Sequence, residues 1–155
     1  MRAARWVGAA LVAVAALGAP GALAAQRNMA LEGQVTAGPP PEDPGTVLAI
    51  ASSPERNRRK AAIEAQARVV RALLFVGVPG TVVPQAMVPD EAAARAQSPG
   101  YFEQLIEGQG FAPYVVRTQE LPKQVEKGTT WLVTVNYVAL RTALEQRGAV
   151  RKFGF

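Results

Sequence analysis

Hydrophobic and polar positions follow two different rhythms along this chain, and each change of rhythm marks an element. Thr46-Val47-Leu48-Ala49-Ile50-Ala51 is a short β-prone run ended by Ser52-Ser53-Pro54. The same closing residues read as a helix start, with Ser53 as N-cap, Pro54 at the first helical position and Glu55 in the first turn. Over residues 55–76 the apolar positions recur at helical spacing. Ile63, Ala67, Val70 and Leu74 form one stripe, and Ala62, Ala65, Val69 and Leu73 widen it into a face suited to packing on a sheet.

Gly77-Val78-Pro79-Gly80 stops that helix. Pro84 and Pro89 follow, so residues 78–99 are expected to form an irregular loop with one short helix near 90–96, a length of loop that often serves as a contact surface. Tyr101, Leu105 and Ile106 predict a short amphipathic helix closed by Gly108 and Gly110. Residues 114–120 and 130–138 read as extended segments joined through Pro122 and Gly128. In the second, Trp131, Val133, Val135 and Tyr137 alternate with Leu132, Thr134, Asn136 and Val138, which is the period of a strand with one packed face. The pair predicts an antiparallel hairpin. Residues 139–147 then form a helix with Leu140, Ala143 and Leu144 on one side, and Gly148 is placed to end it in the left-handed conformation. The expected fold is α+β: a small, mainly antiparallel sheet with two main helices on one face, in the order strand, helix, loop, strand, strand, helix.

The two ends lack this rhythm. Residues 1–25 have Arg2 and Arg5 before an apolar run from Trp6 to Leu17, and Ala22-Leu23-Ala24 as a small-x-small cleavage site, so they read as a secretory signal. Gly18, Pro20 and Gly21 break the run short of the ~20 apolar residues a membrane span requires. Residues 26–45 contain Gly33, Gly38, Pro39, Pro40, Pro41, Pro44 and Gly45 and are expected to be an extended arm or linker rather than helix or sheet. A single domain is expected over 46–150, followed by a tail, residues 151–155. That tail reads either as a frayed end or, with Phe153 and Phe155 in alternation, as a short strand that adds to a neighbour's sheet edge.

Composition narrows the chemistry. The 155 residues include neither histidine nor cysteine, which excludes a thiol nucleophile, an imidazole base and disulfides. No catalytic, cofactor-binding or metal-ligating residues are assigned. Ser52 or Ser53 with Lys60 is the one nucleophile pairing the pattern offers, and Ser53 is better used as a cap. Loss of residues 1–25 would leave 130 residues and, with Arg2 and Arg5 gone, lower the formal charge from +5 to +3. The densest charge is Arg56, Arg58, Arg59 and Lys60 at a helix N-terminus, where the macrodipole disfavours cations by a few tenths of a kcal/mol each. The cluster reads either as a solvated face or as a contact patch for an acidic partner or an anionic envelope polymer. Nucleic acid is not expected, because no aromatic residues interleave the cluster to stack bases.

The run Val47-Leu48-Ala49-Ile50-Ala51, the helix from Ala61 through Arg68, and the half of the chain from Phe111 to Gly148 resemble a small family of exported domains. That family includes the N-terminal domain of the flagellar H-ring protein FlgT and the flagellar lipoprotein FlgP. In the C-terminal half the likeness lies in Tyr114-Val115-Val116, Trp131-Leu132-Val133-Thr134-Val135, and the helix Leu140 through Gly148. The lipoproteins of that group carry a cysteine at the mature N-terminus; this chain has none, so no lipid anchor is expected. The resemblance implies a periplasmic building block of a ring or disc, without catalytic residues. The expected function is that of a non-enzymatic, homo-oligomerising component of a flagellar ring or a related envelope complex. Its expected partners are further copies of itself and other periplasmic or outer-membrane proteins, met through Arg56, Arg58, Arg59, Lys60, Phe153 and Phe155. The alternative is a monomeric ligand- or peptide-binding, chaperone-like module using Val82, Val83, Met87 and Val88.

Overall fold

A computed structural model describes residues 35–122 and 128–151. Four strands, β1 (Val35–Ala37), β2 (Thr46–Ser53), β3 (Val115–Leu121) and β4 (Thr129–Asn136), form one sheet in the order β1-β2-β4-β3, antiparallel at every step. The helices are α1 (Arg58–Phe75), α2 (Glu91–Gln97), α3 (Tyr101–Ile106) and α4 (Tyr137–Gln146), with a 3-10 turn at Ala112–Tyr114. The expected α+β class and antiparallel sheet hold.

Register explains the layering. Val47 stands opposite Val135, Ala49 opposite Val133 and Ala51 opposite Trp131, so six inward side chains make a continuous apolar floor. The small alanines in β2 let α1 approach closely, and Ala61, Ala65, Val69 and Leu73 descend onto them, all fully buried. Burial of a leucine of this kind stabilises by about 1.5–3 kcal/mol. The alternate residues Leu48, Ile50, Leu132 and Thr134 face away from this core and are only half-buried.

Three expectations change. Residues 38–45 do not extend away as an arm: Val35–Ala37 pairs with Ala49–Ala51 as β1, and the proline-rich stretch folds back, with Gly38 N–H donating to the Leu48 carbonyl at 2.9 Å. Residues 26–34 of the expected arm lie outside the described residues. Ser53 is not the helix cap. It ends β2, its hydroxyl accepts from Glu55 N–H and donates to Glu64, and Asn57 caps α1 instead, its Oδ1 accepting from Lys60 N–H at 3.1 Å. The helix therefore begins four residues after Pro54. The buried stripe is also rotated from the one expected: Ile63 and Ala67 are only half-buried, whereas residues 68–74 are buried without a break.

That unbroken burial follows from what covers the far side of α1. Gly77 takes φ +86° and donates back to the Ala72 carbonyl at 2.7 Å, ending the helix and turning the chain over it. The Leu73 and Leu74 carbonyls, left without helical partners in the last turn, then accept from Met87 N–H (3.1 Å) and Val88 N–H (2.7 Å). The 78–99 segment is thus a backbone-bonded strap, and Val78, Val83, Met87 and Val88 belong to the core.

Candidate interaction surfaces

A charged clasp holds the strap. The Arg71 side chain, only 2% exposed, donates to both Glu91 oxygens, at 3.0 and 3.2 Å. Arg95 Nε donates to the same carboxylate at 2.9 Å, and its Nη1 reaches Glu103 on α3. Beneath them lie Phe75 and Phe102, with Arg71 5.2 Å from the Phe75 ring centroid and the two rings 5.4 Å apart. Burial alone would lower the Arg95 pKa, but Glu91 and Glu103 outweigh it and raise it above the usual value. Glu103 is held below the usual carboxylate range by its own backbone N–H at the start of α3 and by Arg95. These ion pairs tie α2 and α3 to α1.

Arg56 precedes the cap residue Asn57, and Arg58, Arg59 and Lys60 open α1. Arg56, Arg58, Arg59 and Lys60 are all exposed at the start of α1. Arg58 reaches across to Glu120 on β3 at 2.9 Å, a tie of little energetic worth for a side chain 76% exposed. Glu55 turns in toward the helix start: its carboxylate accepts from Asn57 N–H at 3.1 Å, and this bond, then Arg56 N–H and the Lys60 charge, lowers its pKa. Arg56, Arg59 and Lys60 complete a positive corner. Phe153 and Phe155 lie outside the described residues.

A groove of about 780 Å3 runs between the strap and the end of α4, walled by Val82, Pro84, Met87, Asp90, Val150 and Arg151 among others. Gly148 (φ +72°) ends α4 in the left-handed conformation, as its position in the sequence predicts, and turns residues 149–151 along this wall. Of the four apolar residues considered for ligand binding, Val83, Met87 and Val88 are buried and Val82 is 51% exposed. Only their edges therefore reach the groove.

The structure offers the serine–lysine pairing no support. The Ser53 hydroxyl, 1% exposed, is engaged by Glu64 and Glu55, and that of Ser52 by Thr130 at 3.2 Å. Among the described residues no three acidic side chains come together as a metal site would require, and no helix is long and apolar enough to cross a membrane. Sequence reasoning passed over Arg68 and Arg71, because two arginines inside a run of apolar helical positions look like breaks in the stripe. For Arg68 the usable signal was Glu64 four residues before it; the partner of Arg71, Glu91, lies twenty residues on, where spacing gives no signal. Comparison with family models, curated proteins and solved structures finds no match to this chain.

Proposed function

We propose that this chain is a non-enzymatic structural protein of the periplasm, one that associates with copies of itself and with other envelope proteins in a flagellar ring or a related assembly. The observation that carries the reading is the layered sheet. Helices cover one face, while Leu48, Ile50, Leu132 and Thr134 leave the other half-exposed, and strands β1 and β3 stand at the two edges. An antiparallel edge can accept a further strand, which is how sheets from separate chains join. The positive corner at Arg56, Arg59 and Lys60 supplies a contact for acidic surfaces. The likeness to exported flagellar domains supplies the compartment and the kind of assembly. Mild cross-linking in its own cells followed by purification tests this: recovery within a large envelope complex supports the reading, and recovery as a lone monomer contradicts it.

A second reading is favoured by the groove beside the strap, whose size falls within the range of small-molecule and peptide pockets. In it the protein is a monomeric periplasmic module that holds a peptide or small ligand. A thermal shift on adding envelope-derived peptides, with no oligomer present, would favour it.

A further inference from the structure

Opposite charges stand at the two ends of β2. Just past its last residue, Ser53, Arg56, Arg59 and Lys60 are exposed and join no ion pair among the described residues. At its first residue, Thr46, the backbone N–H and the hydroxyl both donate to the Asp43 carbonyl, at 3.0 and 2.8 Å, and fix a turn that carries Glu42 and Asp43. Both acidic residues are exposed, and neither carboxylate joins an ion pair among the described residues. Asp43 Oδ1 accepts from Gly45 N–H at 2.9 Å, so the turn is shaped before any partner arrives. The charges also match in number. Glu55 and Glu120 offset two of the four cations at the corner, which leaves a net of two against the two carboxylates of the turn.

Helix α1 is oriented the same way. It starts in the positive corner, and Gly80–Val82, just beyond its end, line a small cavity with Pro41 and Val47 beside the acidic turn. Its macrodipole therefore adds positive charge at the first end and negative charge at the second. Eight residues of strand hold the two ends about 24 Å apart. That is roughly three times the ~8 Å Debye length at physiological salt, so the ends cannot neutralise each other within one chain.

We propose that copies of this chain associate head to tail, the corner of Arg56, Arg59 and Lys60 on one copy seating the Glu42–Asp43 turn of the next. Charge complementarity selects this occupant. An anionic polymer or an unrelated acidic protein would meet the corner and leave the turn unmatched, whereas a second copy satisfies both. The preformed turn loses little freedom on docking. Because the two surfaces are unlike, each added copy leaves one corner and one turn free, and growth continues to a ring or a filament instead of stopping at a dimer. This inference rests on the self-association proposed above and names a charged contact for it.

The test is a charge exchange in the full chain, read as mass by light scattering at low and at high salt. One variant carries Arg56→Glu, Arg59→Glu and Lys60→Glu; the other carries Glu42→Lys and Asp43→Asn, the asparagine keeping an acceptor for Gly45 N–H. The parent is expected to form species larger than a dimer that dissociate as salt rises. Each variant alone should need about tenfold or more protein to associate, since like charges then meet. An equimolar mixture should recover parental association, because every contact in an alternating chain again joins opposite charges. That recovery also shows that both variants are folded. Undiminished oligomers in either variant, or a mixture that stays dissociated, would overturn the head-to-tail contact and leave self-association standing. A monomeric parent would overturn both.

Discussion

Gly77→Ala should cost far more than the same change at Gly148, although both glycines hold positive φ, +86° and +72°. An L-residue in the left-handed region costs about 1–2 kcal/mol at either position. At Gly148 nothing stands within 4 Å of the added Cβ, so the cost ends there. At Gly77 the Cβ would lie 2.6 Å from Gln85 Cα, Gln85 C and the Pro84 carbonyl oxygen, all main-chain atoms that cannot rotate away. The strap must shift, and the shift works directly on Met87 N–H and Val88 N–H, two and three residues along, where they close the Leu73 and Leu74 carbonyls. Losing both bonds adds about 1–3 kcal/mol, at ~0.5–1.5 kcal/mol each. Urea denaturation should therefore show Gly77→Ala losing about 2–5 kcal/mol and Gly148→Ala about 1–2 kcal/mol, with similar m-values. Amide exchange should show Met87 and Val88 protected in the parent and released in Gly77→Ala alone. Equal losses for the two variants, or fast exchange at Met87 and Val88 in the parent, would refute the account of the strap.

Glu91→Gln removes the shared carboxylate from two arginines, one of them buried, and should destabilise by about 3–5 kcal/mol in thermal or urea unfolding, whereas Arg58→Ala at the exposed pair with Glu120 should stay within about 1 kcal/mol. Glu103 has a carboxyl pKa below its ordinary value, so its contribution to stability is complete above the unfolded-state pKa of about 4.3 and is lost as pH falls through the lower folded value. Glu103→Gln should accordingly flatten the acid limb of the stability–pH curve and leave its shape near neutrality unchanged. Reversing the positive corner with Arg56→Glu, Arg59→Glu and Lys60→Glu should leave stability within about 1 kcal/mol and abolish salt-sensitive retention on an anionic column, because these side chains are exposed.

Periodicity reveals the layers of this fold because the layers are what periodicity measures. The alternation through Trp131, Val133 and Val135 places β4, and the run at Thr46–Ala51 places β2, since each has one face on the core. β1 escapes because three residues are too few to show a period and the prolines beside them argue against sheet; the pairing is supplied by β2 and by Gly38. Ser53 misleads because a hydroxyl before Pro54 satisfies the local grammar of a helix start, while tertiary contact with Glu64 draws it into the sheet. The rotated stripe of α1 has the same origin: single-face spacing describes a helix covered on one side, and the strap covers this one on two. Of the candidate contacts, the basic corner is readable as adjacent residues, and the groove is not, because its walls come from two segments, 82–97 and 137–151, that lie forty residues apart at their nearest.

The central claim is association without chemistry, and the most direct test is the mass of residues 26–155 by light scattering across a range of concentrations. Beside it runs the same protein without residues 26–45 and 151–155, a deletion that removes β1 and the tail together. The account predicts discrete oligomers for the longer protein and their loss on truncation. A concentration-independent monomer in both would contradict it.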